Sequence, residues 1–462
     1  MSALFRLYEM KVLPLHPTQT NINMLHSYQL KPVLLLSALF IFLQMQAQKY
    51  VGGDISLLPS YVENGAKYYD HGGNAIADPL AFFKAEGMNA MRVRLFHTPA
   101  NASTTEKGEG VRQDLAYVTR LAKRIKGAGM KLMLDFHYSD SWADPAKQWL
   151  PKAWAGLSES DLQDSIYNYT KHALTTLTKA GAAPDFIQTG NEISYGMDWG
   201  TDAGNAKYCY PSSPAANWDR FAALLRRATA ACREVCPAAK IILHTERVSA
   251  NTSLQKDNAG YAALANFYNK MQGYAIDYDI IGLSYYPYFH GALGELDGAV
   301  SLLEKRYPGK DIMLVETGYS YKYAMGGDYN YTATYPLTDA GQQAFTRDLI
   351  ALLNTHERVT GLFWWFMEAN ECGLTWGVDN VTEHWYNASL FDNTTGRATS
   401  ALSELKTFAG TSNGIATVSA LKQPIPDNHW YSLTGMRLPA RPTIGGIYIH
   451  GDRKMAVGKV DK

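Results

Sequence analysis

Between residues 49 and 408 the chain carries eight short apolar runs, at 50–55, 90–96, 131–136, 185–190, 240–244, 280–285, 312–316 and 361–365. All are rich in β-branched and aromatic residues, as strands are. Roughly 30–55 residues separate each run from the next, enough for a helix and its loops in every interval. Helical spacing is clearest at 114–127, where Leu115, Val118, Leu121, Ala122 and Ile125 fall on one face, and at 218–235. Eight strand–helix units predict an α/β fold, a (β/α)8 TIM barrel. A doubly wound sheet is the alternative. It usually shows a glycine-rich phosphate turn after its first strand, and neither GxGxxG nor GxxxxGK[ST] occurs here.

The two ends read differently. Residues 1–48 have the form of a targeting segment: Lys31 precedes an apolar run at 33–43 that ends in Met45-Gln46-Ala47, a small-residue cleavage site before Gln48. Eleven apolar residues are too few to span a bilayer. Met24 is an alternative start, and an N-terminal anchor is the competing reading. The expectation is export, to the medium, the periplasm or the cell surface, with no transmembrane segment in the mature protein. Residues 409–462 carry Thr434-Gly435 and Gly451-Asp452 turns beside Trp430-Tyr431 and Ile447-Tyr448-Ile449, the pattern of β-hairpins. They predict a small accessory β-rich tail, against the alternative of a partly ordered one. The four cysteines, Cys209, Cys232, Cys236 and Cys372, match no zinc pattern and define no disulfide pairing.

In a barrel of this kind chemistry sits at the C-terminal ends of the strands. Those ends carry Asp54 and Ser56; Arg92, Arg94 and His97; Asp135, His137, Asp140 and Trp142; Asn191 and Glu192; Tyr285; Glu316; and Trp365. Two glutamates that close apolar strands are the decisive pair, because burying a carboxyl costs free energy unless it is paired. Cleaving a glycosidic bond needs a protonated carboxyl at the leaving oxygen and a carboxylate facing the anomeric carbon. Arg94 or Arg92 beside Glu316 would keep it ionised, while like charge and partial burial raise the pKa of Glu192. The competing reading makes each glutamate a salt-bridge partner at its strand end. Asp54 reads as a structural partner for the arginines.

The motifs Gly53-Asp54-Ile55-Ser56, Met91-Arg92-Val93-Arg94, Asp135-Phe136-His137-Tyr138-Ser139-Asp140 with Trp142-Ala143-Asp144-Pro145, Gly190-Asn191-Glu192 and Glu316-Thr317 occur in order. With Gln148-Trp149-Leu150-Pro151 and Ser389-Leu390-Phe391-Asp392, they make residues 50 to 405 resemble glycoside hydrolase family 53, the arabinogalactan endo-β-1,4-galactanases of the retaining (β/α)8 clan. The resemblance implies Glu192 as acid/base, Glu316 as nucleophile and Asn191 at the sugar 2-hydroxyl. It implies Arg94 (or Arg92), His137, Asp140, Trp142, Tyr285 and Trp365 as lining for the substrate, a β-1,4-galactan polysaccharide. No cofactor is needed for that chemistry. Relatives often carry a calcium loop after the nucleophile strand; here it reads Gly326-Gly327-Asp328-Tyr329-Asn330-Tyr331, with one carboxylate, so a structural calcium would need backbone and distant ligands. The metal ligands stay unassigned.

Other functions are weighed against this one. Lys+Arg 43 against Asp+Glu 43 gives no basic excess to attract nucleic acid. No GxSxG or HExxH supports a serine or zinc hydrolase. Another glycosidase of the clan would share both glutamates, and a non-catalytic glycan-binding surface protein would need only the 12% aromatic content. Loop aromatics Trp149, Trp154, Trp199, Tyr288 and Trp376 are candidates for stacking positions along an open groove, in keeping with cleavage inside a chain.

Overall fold

The computed structural model describes residues 48–250, 260–374 and 388–410, with 430–431, 437–438, 442, 446–450 and 453–457 beyond them. Eight parallel strands close on themselves in chain order: β1 (Tyr50–Asp54), β2 (Ala90–Leu95), β3 (Lys131–Phe136), β4 (Phe186–Thr189), β5 (Lys240–Thr245), β6 (Ile280–Tyr285), β7 (Asp311–Thr317) and β8 (Val359–Trp364). Their bounds lie within a few residues of the apolar runs. A helix follows each: α1 (Pro79–Ala85), α2 (Leu115–Gly127), α3 (Glu159–Lys179), α4 (Ala215–Val235), α5 (Tyr261–Gly273), α6 (Leu293–Arg306), α7 (Asp339–Leu353) and α8 (Ser400–Gly410). The fold is a TIM barrel.

Helix α2 shows how the sequence makes these units. The Asp114 carboxylate caps it by accepting the Tyr117 N–H. Val118, Leu121, Ala122 and Ile125 bury one stripe, while Arg124 and Lys126 sit in the last turn, where the helix dipole favours cations. Burying Val118, Leu121 and Ile125 contributes roughly 1.5–3 kcal/mol each.

Inside the barrel the period of two along each strand builds layers. The lower layer is apolar: Ala90, Met133, Phe186, Ile242, Ile280, Met313, Val315 and Phe363 pack together, separate from the larger core between strands and helices. Two residues further along β2 to β5 the inward positions turn polar, with Arg92, Asp135, Gln188 and His244, and four residues beyond Ile280 on β6 comes Ser284. Cross-strand register sets Asp54 beside Arg92, Asp135 beside Gln188 and Ser284 beside Glu316. Closure of β1 needs Gly52, since a Cβ there would lie 1.7 Å from the Ala90 carbonyl oxygen.

The four cysteines are free thiols. Among the described residues no helix is long and apolar enough to cross a membrane. Beyond α8, β9 (Trp430–Tyr431), β10 (Arg437–Leu438), β11 (Gly446–His450) and β12 (Arg453–Val457) form an antiparallel sheet in the order β10-β9-β11-β12. The Thr434-Gly435 and Gly451-Asp452 turns, residues 1–47 with the apolar run 33–43, and Trp376 lie outside the described residues.

Candidate active site

One guanidinium organises the barrel mouth. Arg92 is fully buried. Its Nη1 donates to Asp54 Oδ2 (2.9 Å), its Nη2 to Asp135 Oδ2 (2.7 Å) and Asn191 Oδ1 (2.9 Å), and its Nε to Gln188 Oε1 (3.4 Å). Nη2 also lies 2.8 Å from Glu316 Oε1. The other Glu316 oxygen, Oε2, accepts the Tyr286 hydroxyl at 3.0 Å. Glu316 therefore has a cation on one oxygen and a neutral donor on the other.

Glu192 is built differently. It follows Gly190 (φ +102°) on the turn that ends β4, and is itself held at φ +48°, a conformation uncommon for any residue with a Cβ. The turn is pinned from three sides. Gln148 Nε2 donates to the Asn191 carbonyl (2.7 Å), Asn191 Nδ2 donates to the Ala143 carbonyl (2.8 Å), and the Ile193 N–H reaches the His244 carbonyl (2.9 Å). The Glu192 N–H points at His244 Nδ1 (3.3 Å), which places the imidazole proton on Nε2, 2.7 Å from Ser284 Oγ. Burial, then Arg92, hold His244 well below the usual histidine range, so the ring is neutral.

The two carboxyls feel each other. Burial first, then the charge of Glu316 and then that of Glu246, push Glu192 well above the ordinary carboxyl value, with the Ser284 hydroxyl opposing. Burial, with Asp135 and Asp54, also raises Glu316, to about 7, with Arg92 and the Tyr286 hydrogen bond opposing the rise. Asp54, Asp135 and Glu316 set three carboxylates against the guanidiniums of Arg92 and Arg94. Buried Glu368 adds a further carboxyl beside Asp54 and Arg94, so carboxyls outnumber cations, and of the pair Glu192 and Glu316 the proton rests more favourably on Glu192, since Arg92 lies on Glu316.

Aromatic rings wall the glutamates. Trp142 meets Trp365 edge-on at 6.3 Å, and Trp365 meets Tyr286 at 6.3 Å. Trp365 is 9% exposed, while Trp364 faces the helix layer and donates its Nε1–H to the Ala388 carbonyl.

Several sequence expectations need correction. Of the two candidate arginines, Arg92 touches Glu316. Arg94 pairs with Asp54 (2.8 Å) and stacks on Trp142 (4.6 Å) and Phe366 (4.7 Å), one layer nearer the mouth. Both point inward because they are two residues apart, and spacing alone does not choose the layer. Tyr285 points out of the barrel, donating to the Gly291 carbonyl at 2.8 Å; its neighbour Tyr286 takes the inward place. Asp140 is engaged by the protein itself: its oxygens accept the Thr98 N–H (3.0 Å), the Asn101 side-chain amide (2.9 Å) and the Lys152 N–H (2.9 Å), and so knot two loops together. Past the strand end, unpaired loop N–H groups claim its lone pairs.

His137 is 3% exposed and accepts the Ala143 N–H on Nδ1 (3.0 Å), leaving Nε2 3.1 Å from Asp135 Oδ2 without the alignment of a hydrogen bond. It buttresses Trp142, edge-on at 5.9 Å. Among the loop aromatics, Trp154, Trp199 and Tyr288 are buried and Trp149 is partly exposed. Gln188, His244, Ser284, Tyr286 and Glu246 were not singled out from sequence. Inward alternation continued past each strand end would have found all five.

The 326–331 loop gathers no cluster of carboxylates for calcium. Asp328 is exposed, Asn330 Oδ1 accepts the Thr332 N–H of its own loop (2.9 Å), and no group of three or more His, Cys, Asp or Glu that could hold an ion occurs among the described residues.

The family model described as Glycosyl hydrolase family 53 matches residues 50–405. An arabinogalactan endo-β-1,4-galactanase of Cellvibrio japonicus (strain Ueda107) is 33% identical over 361 residues, covering 75% of this chain and 87% of its own. An endo-β-1,4-galactanase of Bacillus subtilis (strain 168) is 32% identical over 374 residues, covering 74% of this chain and 80% of its own. Among solved structures, the Ignisphaera aggregans GH53 catalytic domain is similar at a TM-score of 0.64 and 33% identity, over 78% of this chain and 95% of its own.

Proposed function

The chain belongs to glycosyl hydrolase family 53, and from that premise we propose that it cleaves internal β-1,4 bonds of galactan and of the galactan side chains of pectin, with retention of configuration. The observation that carries this reading is the unequal dressing of two neighbouring carboxyls. Glu316 has Arg92 and the Tyr286 hydroxyl on its oxygens, which suits a nucleophile that must be ionised. Glu192 has burial and negative neighbours, which suits an acid that must hold a proton.

In the proposed reaction a Glu316 oxygen attacks the anomeric carbon as Glu192 gives its proton to the departing glycosidic oxygen. A galactosyl ester on Glu316 and a shortened chain with a free hydroxyl result. Glu192, now a carboxylate, takes a proton from water as that water attacks the same carbon, and Glu316 leaves as carboxylate. Asn191 spends its Oδ1 on Arg92 and one N–H on Ala143, which leaves one N–H for a sugar hydroxyl. No cofactor enters either step. Export, resting on the apolar run at 33–43, completes the proposal; mass spectrometry of the mature protein should find that run removed.

The test compares reducing-sugar release and viscosity on β-1,4-galactan, mannan, xylan and cellulose, with proton NMR of the first product. Galactan should lose viscosity early and give the β-anomer first. Release of single galactose units at constant viscosity refutes internal cleavage, and an α-anomer appearing before mutarotation refutes retention.

A further inference from the structure

Trp149 stands on the loop between β3 and α3, and the backbone on both sides of it is tied to the loop that carries Glu192. Just before it, Gln148 donates through Nε2 to the carbonyls of Asn191 (2.7 Å) and Glu192 (3.4 Å), and the Gln148 carbonyl accepts the Trp199 N–H (2.8 Å). Just after it, the Leu150 N–H donates to the Gly200 carbonyl (3.0 Å). The indole is thus fixed one residue from the strap on the proposed acid/base.

Its ring leans on Trp199 with centroids 5.5 Å apart at 82°, and Trp199 also meets Tyr208 at 4.6 Å. Trp199 is 1% exposed and anchored by its Nε1–H on the Tyr195 carbonyl (2.8 Å), while Trp149 and Tyr208 are both partly exposed. Backbone bonds from Lys207 to Trp199 (2.8 Å) and from Cys209 to Tyr195 (2.8 Å) close this loop on itself. A buried indole therefore props up two partly open rings whose positions are fixed before any ligand arrives, so little ordering entropy is lost on binding.

A group that protonates the leaving oxygen stands at the boundary between the two halves of the substrate. Tyr286 donates to Glu316, and Trp365 and Trp142 follow it ring to ring, so on the galactanase reading these rings belong to the attacked side of the sugar. On that reading the loop continuing from Glu192 is the surface offered to the departing sugars. We propose that Trp149, with Tyr208, forms a stacking subsite for the leaving-group galactosyl residues, and so sets how strongly the enzyme prefers long chains. This rests on the galactanase reading above and adds the residues that hold the other half of the substrate. A galactopyranose presents a C–H-rich face that suits an indole or phenol ring.

The experiment measures kcat/KM of the full-length protein, Trp149→Ala and Trp149→Phe on long β-1,4-galactan and on an aryl β-galactobioside, whose sugars lie only on the attacked side. The expected result is that the galactan-to-aryl ratio of kcat/KM falls on the order of ten-fold in Trp149→Ala, and that Trp149→Phe recovers most of it. Equal losses on both substrates, or an unchanged ratio, overturn the proposal. Wild-type protein that leaves galactan uncut while hydrolysing another glycan overturns the underlying reading instead.

Discussion

Tyr286→Phe removes one atom from the site and should move one limb of the pH profile. The hydroxyl lies 3.0 Å from Glu316 Oε2, and the phenyl ring that remains keeps the contacts with Trp365 and Tyr288. A hydrogen bond to a charged acceptor is worth about 1.5–3 kcal/mol, and about 1.4 kcal/mol is one pH unit. The bond favours the carboxylate, so losing it makes Glu316 easier to protonate. In the proposed active form Glu316 is ionised and Glu192 protonated, which assigns the acidic limb of kcat/KM to the first and the basic limb to the second. Tyr286→Phe should therefore move the acidic limb upward by about one to two pH units and narrow the bell from that side. The assay is kcat/KM against pH with an aryl β-galactobioside, because the free-enzyme values are what the argument concerns. An acidic limb that stays in place, or moves down, refutes the placement of Glu316 as the ionised partner. A shift confined to the basic limb would mean that the roles are reversed.

Other variants test separate links. Glu316→Ala should lose several orders of magnitude in kcat, with azide restoring turnover to an inverted product; Glu192→Ala should suffer least on aryl substrates with good leaving groups, and equal losses on good and poor leaving groups would refute its role as acid. Asp198 is 2% exposed, with neither carboxyl oxygen hydrogen-bonded among the described residues, and burial pushes it up to about 8. The folded state then holds a proton that the unfolded state releases from about pH 4 upward, so this group lowers stability increasingly towards pH 8. Asp198→Asn should accordingly stabilise by a few kcal/mol at pH 8 and by little near pH 4, read as denaturant midpoints at the two pH values. Gly52→Ala drives a methyl to 1.7 Å from the Ala90 carbonyl oxygen and should cost more than about 3 kcal/mol, seen as a large drop in melting temperature or as insoluble protein. Because all four cysteines are free, reductant should leave the melting temperature unchanged.

The barrel was legible because its two signals are local. Eight β-branched runs at regular intervals define the strands, and stripes such as Val118, Leu121 and Ile125 define the helices. The glutamates were legible for a related reason, since an acid closing an apolar strand has no stabilising purpose there. What escaped was orientation. Whether Arg92 or Arg94 reaches Glu316 depends on the layer each occupies, and layers follow from the tilt and register of neighbouring strands. Tyr285 and Tyr286 are chemically alike, and only the alternation that puts Ser284 inward decides between them. The partners of Asp140 escaped because its motif lies at the mouth, while the unpaired loop N–H groups that claim it come from residues 42 positions before and 12 positions after it. His244 carries no motif at all. Its importance comes from the Glu192 N–H that points at it, a contact between a turn and the next strand across 52 residues of sequence.

The polar layer is not what holds the barrel together. Taking several charged groups out of water costs several kcal/mol per ion, and well-packed apolar residues in their place are often as stable or more so. Arg92 nonetheless spends its donors on Asp54, Asp135, Asn191, Gln188 and Glu316, and those partners have further anchors of their own. Asp135 also accepts Gln188 Nε2 at 2.7 Å, and Asp54 also accepts the Ser56 N–H at 2.9 Å. Each partner removes a direction in which the guanidinium could tilt, so its Nη2 stays aimed at Glu316 without reorganising when the sugar arrives. Beneath it the lower layer of Met133, Phe186, Ile242 and Phe363 is apolar and gives the charges no water from below. Stability comes from that layer and from the strand–helix interface. The charged layer above is maintained at a cost in stability, which is the expected balance for a preorganised site.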